Sequence, residues 1–197
     1  MYHAGELPIP SQRVRLLEAS DGALWVAGLG QEAVRLGIGA SQWTTYEGLN
    51  FQGETPDGVQ WFVSRDGGVV RRDGTQWVRY GVEDGLIDRP VTLLVTRKGD
   101  LWAAGSHDST AATARFEGTR WSRRVHPKLA STIFWHGVYE AQDGALWFGG
   151  YEPLSCRGHL RGLLRFQDGS WKHYVPPEAP AVPYGIGQTA DGILWTG

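Results

Sequence analysis

Cys156 and His159 stand as C-x-x-H, a spacing that can offer a thiolate and an imidazole to one zinc ion or set a nucleophile beside its base. Either chemistry needs more than two groups. A zinc site wants further convergent ligands, and a thiol nucleophile wants a base held by a third residue. His107 and His136 could join them on one face, but no spacing links these to the pair. Glu18, Glu54 and Glu140 each lie seven residues before a tryptophan. A carboxylate that returns with the architecture points to hydrogen bonding near a hairpin rather than to a general acid and base. Asp66-Gly67-Gly68 comes nearest to a phosphate loop, yet it falls between two strands with no helix N-terminus to receive an anion. No catalytic residue, no metal ligand set and no cofactor is predicted.

What remains is recognition chemistry, and that depends on the elements that carry it. D-G-x-L-W recurs as DGALW at Asp21–Trp25, DGVQW at Asp57–Trp61, KGDLW at Lys98–Trp102, DGALW at Asp143–Trp147 and DGILW at Asp191–Trp195. The tryptophans are 36, 41, 45 and 48 residues apart. A second series, Trp43, Trp77, Trp121 and Trp171, lies between them, so nine of the ten tryptophans belong to one unit. A period of this length with two strand pairs per unit marks a β-propeller.

Each unit reads as four strands. The first precedes the D-G turn, as in Val14–Ala19, Val91–Thr96 and Gly137–Ala141. The D-G pair suits a type I′ hairpin, whose central residues both need positive φ. The second strand carries the first tryptophan and the third a recurring arginine, namely Arg35, Arg71, Arg115 and Arg165. The fourth holds the second tryptophan, often with a tyrosine three residues on. Regular tryptophans are expected to be core between blades, because recurrence in every unit marks structure. The predicted fold class is all-β, a single β-propeller section over 1–197. Its blades are placed at 14–46, 50–80, 91–124 and 136–174, with half of a fifth at 184–197. Such a section reads as part of a larger ring, expected to be seven-bladed.

Length variation picks out one face. From the first tryptophan to the arginine the spacing is 10, 10, 13 and 18 residues, whereas from the arginine to the second tryptophan it is 8, 6, 6 and 6. The long connections join strand two to three and one blade to the next, all at one end of the strands. Binding residues gather on loops held by a rigid scaffold. Two loops there are expected to matter: Ser106–Ala114, polar and small, and Tyr151–Gly162, which mixes aromatic, acidic, basic and thiol groups. Trp135, in the linker His126–His136, is the one tryptophan outside the register. It either fills a gap between blades or offers a platform for a sugar ring or peptide side chain. Residues eleven before each first tryptophan, including Asn50, His136 and Tyr184, should rim the channel on that face. Trp135, His136, Tyr151, His159 and Tyr184 are therefore the predicted ligand-binding residues.

The segment Asp57–Leu86, DGVQWFVSRDGGVVRRDGTQWVRYGVEDGL, resembles the two-component regulator propeller repeat, and the likeness runs along nearly the whole chain. It implies part of the sensor region of a bacterial hybrid histidine kinase or related regulator, periplasmic or extracellular, binding a small molecule, oligosaccharide or peptide. Dimerisation through the propeller is a further expectation. A protein–protein scaffold is the alternative. Streptogramin-lyase-like propellers share the D-G-x-L-W strand, but the Trp-x-x-Tyr strand argues against them. WD40 units fit worse, since no G-H…W-D pair is present. Net charge is −2 with 20% charged residues, so no basic footprint points to nucleic acid. Cys156 is the only cysteine, which excludes an intramolecular disulfide. No apolar run is long enough to enter a bilayer, and no signal peptide is visible.

Overall fold

A computed structural model of the protein describes residues 14–28, 32–151, 161–180, 183 and 185–197. The fold is an all-β propeller of four-stranded antiparallel blades, each formed by consecutive strands. Strands β1 (Val14–Glu18), β2 (Leu24–Gly28), β3 (Ala33–Leu36) and β4 (Thr44–Tyr46) form the first blade. The second comprises β5 (Leu49–Glu54), β6 (Gln60–Ser64), β7 (Val69–Asp73) and β8 (Gln76–Tyr80). A short 3-10 helix, Val82–Asp84, leads to β9 (Arg89–Val95), β10 (Leu101–His107), β11 (Thr110–Phe116) and β12 (Trp121–Val125). The fourth blade is β13 (Thr132–Glu140), β14 (Leu146–Tyr151), β15 (Leu163–Gln167) and β16 (Ser170–Tyr174), and β17 (Ile186–Gln188) pairs with β18 (Leu194–Thr196). The chain divides into two compact units, 1–81 and 82–197.

The repeated D-G turn is built differently from the type I′ expectation. Gly22, Gly58, Gly144 and Gly192 have positive φ, but the aspartates before them do not. Gly22 N–H donates to the Ala19 carbonyl at 2.8 Å, and Ala19 N–H to the Ala23 carbonyl at 2.9 Å. This is a three-residue loop, a type I turn closed by a left-handed glycine. It frees the aspartate side chain to cap the turn: Asp21 Oδ1 accepts from Ala23 N–H at 2.9 Å and Asp143 Oδ1 from Ala145 N–H at 3.0 Å. The other carboxylate oxygen meets the recurring arginine of the third strand, as Asp21 with Arg35 and Asp143 with Arg165 at 2.8 Å. In the third blade Asp100 takes over this pairing with Arg115, and in the second Arg71 turns to Asp73 instead. A type I′ turn does occur between β15 and β16, where Asp168 and Gly169 both have positive φ.

In the first tryptophan series four of the five members are core, and the fifth, Trp195 in β18, is exposed. Trp25, Trp61, Trp102 and Trp147 are buried, and each lies in the second strand of its blade. Trp25 packs on Phe51 and Phe62 of the second blade, and Trp102 on Phe148, Phe166 and Trp171 of the fourth. The second series departs from expectation. Trp121 is buried, but Trp77 in the outermost strand of its blade is 45% exposed, with the Arg72 guanidinium 5.3 Å from its ring centroid. An outer strand covers its inner neighbours on one face only, so the same residue type there need not be enclosed.

Among the described residues, burial leaves the indole N–H groups of Trp25 and Trp147 without a partner. Trp61 avoids this by donating to Thr55 Oγ1 at 3.2 Å. At the place of Thr55 the other two blades have Ala19 and Ala141, in turns with the same backbone bonds. Ala141→Thr should therefore satisfy a buried donor and stabilise by about 1 kcal/mol. Comparison of thermal melts with Ala141→Val, which adds similar bulk and no acceptor, checks this. Equal melting of the two variants would refute it.

The recurring carboxylates also have a role. Glu54 in β5 accepts from the Ser20 hydroxyl in the turn of the preceding blade. Glu140 in β13 accepts from the Arg97 backbone N–H at 2.8 Å, again in the preceding turn. Gln188 in β17 occupies the same place and accepts from Gln142 N–H at 2.7 Å. In β9 the residue is Val95, which has no acceptor. These groups fasten turns, as their recurrence implied.

Candidate functional site

Among the described strands, the first strand of the fourth blade carries the most irregular pairing. Ile133 pairs with Gly150 and Val138 with Phe148, so β13 advances five residues while β14 advances two. Three extra residues are accommodated in that interval. Corresponding irregularities in β5 and β9 take one extra residue each. A bulge of this kind re-aims side chains that regular pleating would alternate between faces. Here the displaced segment is Phe134-Trp135-His136-Gly137.

Glycines make the bulge fit. A Cβ on Gly137 would come within 2.9 Å of the Gly149 carbonyl oxygen, and one on Gly149 within 2.8 Å of Pro183 Cγ. Gly150 is equally confined, against Leu129 and Ala130. The Gly149-Gly150 pair in β14 thus lets β13 and its linker approach closely. β13 packs against both β9 and β17.

The result is an aromatic cluster. Phe134 and Tyr151 ring centroids are 5.1 Å apart, Phe134 and His136 5.9 Å, and Phe134 and Trp135 6.1 Å. Trp135 and His136 rings are in contact. Phe134, Trp135 and Tyr151 are partly buried and His136 is exposed. The Tyr151 carbonyl accepts from the Ser131 hydroxyl at 3.3 Å, which ties the end of β14 to the linker entering β13. Rings held partly open, with imidazole and phenol groups among them, can stack on a planar or apolar ring face and hydrogen-bond its substituents.

Three of the five predicted site residues, Trp135, His136 and Tyr151, are thus neighbours. His159 and Tyr184 lie outside the described residues, as does Cys156. Phe134, at the centre of the cluster, was missed. The signal for it was the run Phe134-Trp135-His136, three ring-bearing side chains in succession where a strand should alternate.

Several boundaries need correction. Trp135 and His136 belong to β13, which starts at Thr132, and not to a linker that ends at His136. Ser106–Ala114 is not a loop. Its residues continue β10 and β11 through a two-residue turn at Asp108-Ser109, both with positive φ. Ala111, Ala112, Thr113 and Ala114 are buried, so the small residues serve close packing. His107 is engaged within this blade, its Nδ1 accepting from Asp88 N–H at 3.2 Å. Among the described residues no group of three or more His, Cys, Asp or Glu side chains could hold a metal. No helix among them is long and apolar enough to cross a membrane.

Blades, turns and tryptophan core define the fold class as the β-propeller, and propeller proteins are its structural neighbours. Virginiamycin B lyase from Staphylococcus aureus, solved with quinupristin, superposes with a TM-score of 0.66 at 19% identity, over 96% of this chain and 64% of that one. A streptogramin B lyase gives 0.68 at 19% identity, over 96% and 63%. The extracellular domain of a putative hybrid two-component system from B. thetaiotaomicron gives 0.68 at 18% identity, over 96% and 28%. The chain therefore spans less than two thirds of each of these neighbours. No family model matches the sequence, and no curated protein matches it.

Proposed function

We propose that the chain is a ligand-binding propeller module of a bacterial signal-transduction protein, recognising an extracellular saccharide or peptide without transforming it. The observation that carries this reading is the β13 bulge, which gathers Phe134, Trp135, His136 and Tyr151 at the end of the strands where connection lengths vary most. Rings there supply apolar stacking area, and the imidazole and phenol supply directional bonds to hydroxyl or amide groups. The extracellular domain of a hybrid two-component system among the neighbours supports the sensing role. Ligand binding would pass to an output domain through altered blade packing or dimer geometry. The same fold neighbours include lyases, so the enzyme reading is tested alongside.

The experiment is a panel of neutral oligosaccharides and short peptides titrated against the full chain, followed by Trp135→Ala and Tyr151→Ala. Each substitution should weaken a bound compound by about tenfold or more, given the cost of losing a central aromatic contact. Unchanged affinity in both, with loss on altering Asp73 or Asp168 at the opposite ends of the strands, would overturn the placement. Chemical conversion of the bound compound would favour an enzyme.

A further inference from the structure

The linker that enters β13 also bounds a second place, which shares no lining residue with the aromatic cluster. A cavity of about 290 Å³ opens where this linker passes over β15 and β16, lined in part by Arg124, His126, Lys128, Leu164, Trp171 and His173. No carboxylate is among its lining residues. That is unusual for a chain with 21 acidic and 19 basic residues. Arg35, Arg71, Arg79, Arg97, Arg115 and Arg165 all pair with aspartate or glutamate. Arg124 instead sits 5.5 Å from the Trp171 ring centroid, and neither it nor Lys128 has a carboxylate partner among the described residues.

The wall behind these cations is hydrogen-bonded to the blade. His126 N–H donates to the Ala111 carbonyl at 2.7 Å, and Ala111 N–H donates to the Ala130 carbonyl at 2.9 Å, so the linker is stitched to β11. The His126 imidazole is buried, with Nε2 3.0 Å from Thr113 Oγ1 and its ring 4.5 Å from that of Trp171. His173 Nε2 lies 2.7 Å from the Arg161 carbonyl oxygen and donates to it, which fixes that ring too. A carboxylate placed here would meet two cations without displacing an existing partner, and charge-assisted bonds to arginine are among the stronger ones. The cavity is close to the lower end of ordinary ligand pockets, about 300 Å³, which suits one monosaccharide.

We propose that this cavity binds the carboxylate of a small acidic sugar, held by Arg124 and Lys128, with the apolar ring face against Leu164 and the exposed edge of Trp171. The site is independent of the aromatic cluster on β13. Titration of the full chain with D-glucuronate, D-glucose and inorganic phosphate, followed through the Trp171 indole resonance, tests it. Glucuronate should shift that resonance and glucose should not. The Arg124→Ala/Lys128→Ala variant should bind glucuronate at least about tenfold more weakly, while Trp135→Ala leaves it unchanged. Both basic side chains are exposed, so the fold should survive, and Lys128→Ala alone provides a milder variant with a smaller loss. Phosphate binding as tightly as glucuronate would overturn the sugar assignment. Absence of glucuronate binding, or binding indifferent to the double variant, would overturn the site.

Discussion

Replacing Trp25 with alanine should cost the fold about 3–5 kcal/mol, the usual penalty for emptying a large aromatic site in a core. Trp25 is fully buried, stacks on Phe51 at 4.3 Å, meets Phe62 edge-on at 5.5 Å and tilts against Tyr46 at 4.9 Å. Phe51 and Phe62 belong to the next blade, so the cavity would open between two sheets that have no hydrogen bond pattern in common to close it. Trp61→Ala and Trp147→Ala should fall in the same range. Trp77→Ala, at a ring that is 45% exposed, should cost well under half as much. Denaturant melts of Trp25→Ala and Trp77→Ala compare the two. A Trp25→Ala midpoint equal to the parent's would show that the series is not core.

Acid should weaken the protein through His126 before the carboxylates contribute. Burial, reinforced by the nearby positive charge of Arg124 and by His173, lowers its pKa from 6.5 to about 4. The unfolded chain therefore takes up this proton first as pH falls. Stability from a neutral, buried His126 is full above pH 6.5 and is lost progressively down to about pH 4, amounting to about 3 kcal/mol. Asp57 and Asp143 act in a lower window. Hydrogen bonds from Thr55 to Asp57 and from Ala145 N–H to Asp143 hold these carboxyls below the ordinary value of 3.8. Their stabilisation persists until pH falls beneath that value. His126→Gln should flatten the profile between pH 6.5 and 4 and leave the steeper acid limb in place. A profile unaltered by the substitution would remove His126 as the cause.

The blade pattern was open to reading because its determinants are local. A D-G turn, an alternating strand and a buried indole lie within a dozen residues of one another, and repetition separates them from chance. Arg35 and Arg165 could be recognised as recurrent, but their partners Asp21 and Asp143 come together only once the three-residue turn is formed. Two kinds of feature were hidden. Burial of a fourth-strand tryptophan depends on what covers the outer face of its blade, which separates Trp77 from Trp121 with no change in the local motif. The bulge in β13 breaks the period-2 pattern on which strand reading rests, so Thr132–His136 resembled a linker and Phe134 was passed over. Ser106–Ala114 misled in the opposite sense. Small polar and alanine side chains look like loop composition, yet Ala111, Ala112 and Thr113 are small because strands and linker crowd there.

The side chains that reach back from β5, β13 and β17 give the fold a direction in time. Ser20, Arg97 and Gln142 acquire their hydrogen-bond partner only when Glu54, Glu140 and Gln188 have been synthesised and placed. A chain emerging from the ribosome would carry the first, third and fourth blades with this bond of the leading turn unmade, and complete it only after the following first strand had emerged. Loss of such a strand, by cleavage or mutation, would be felt first not in its own blade but in the one translated before it.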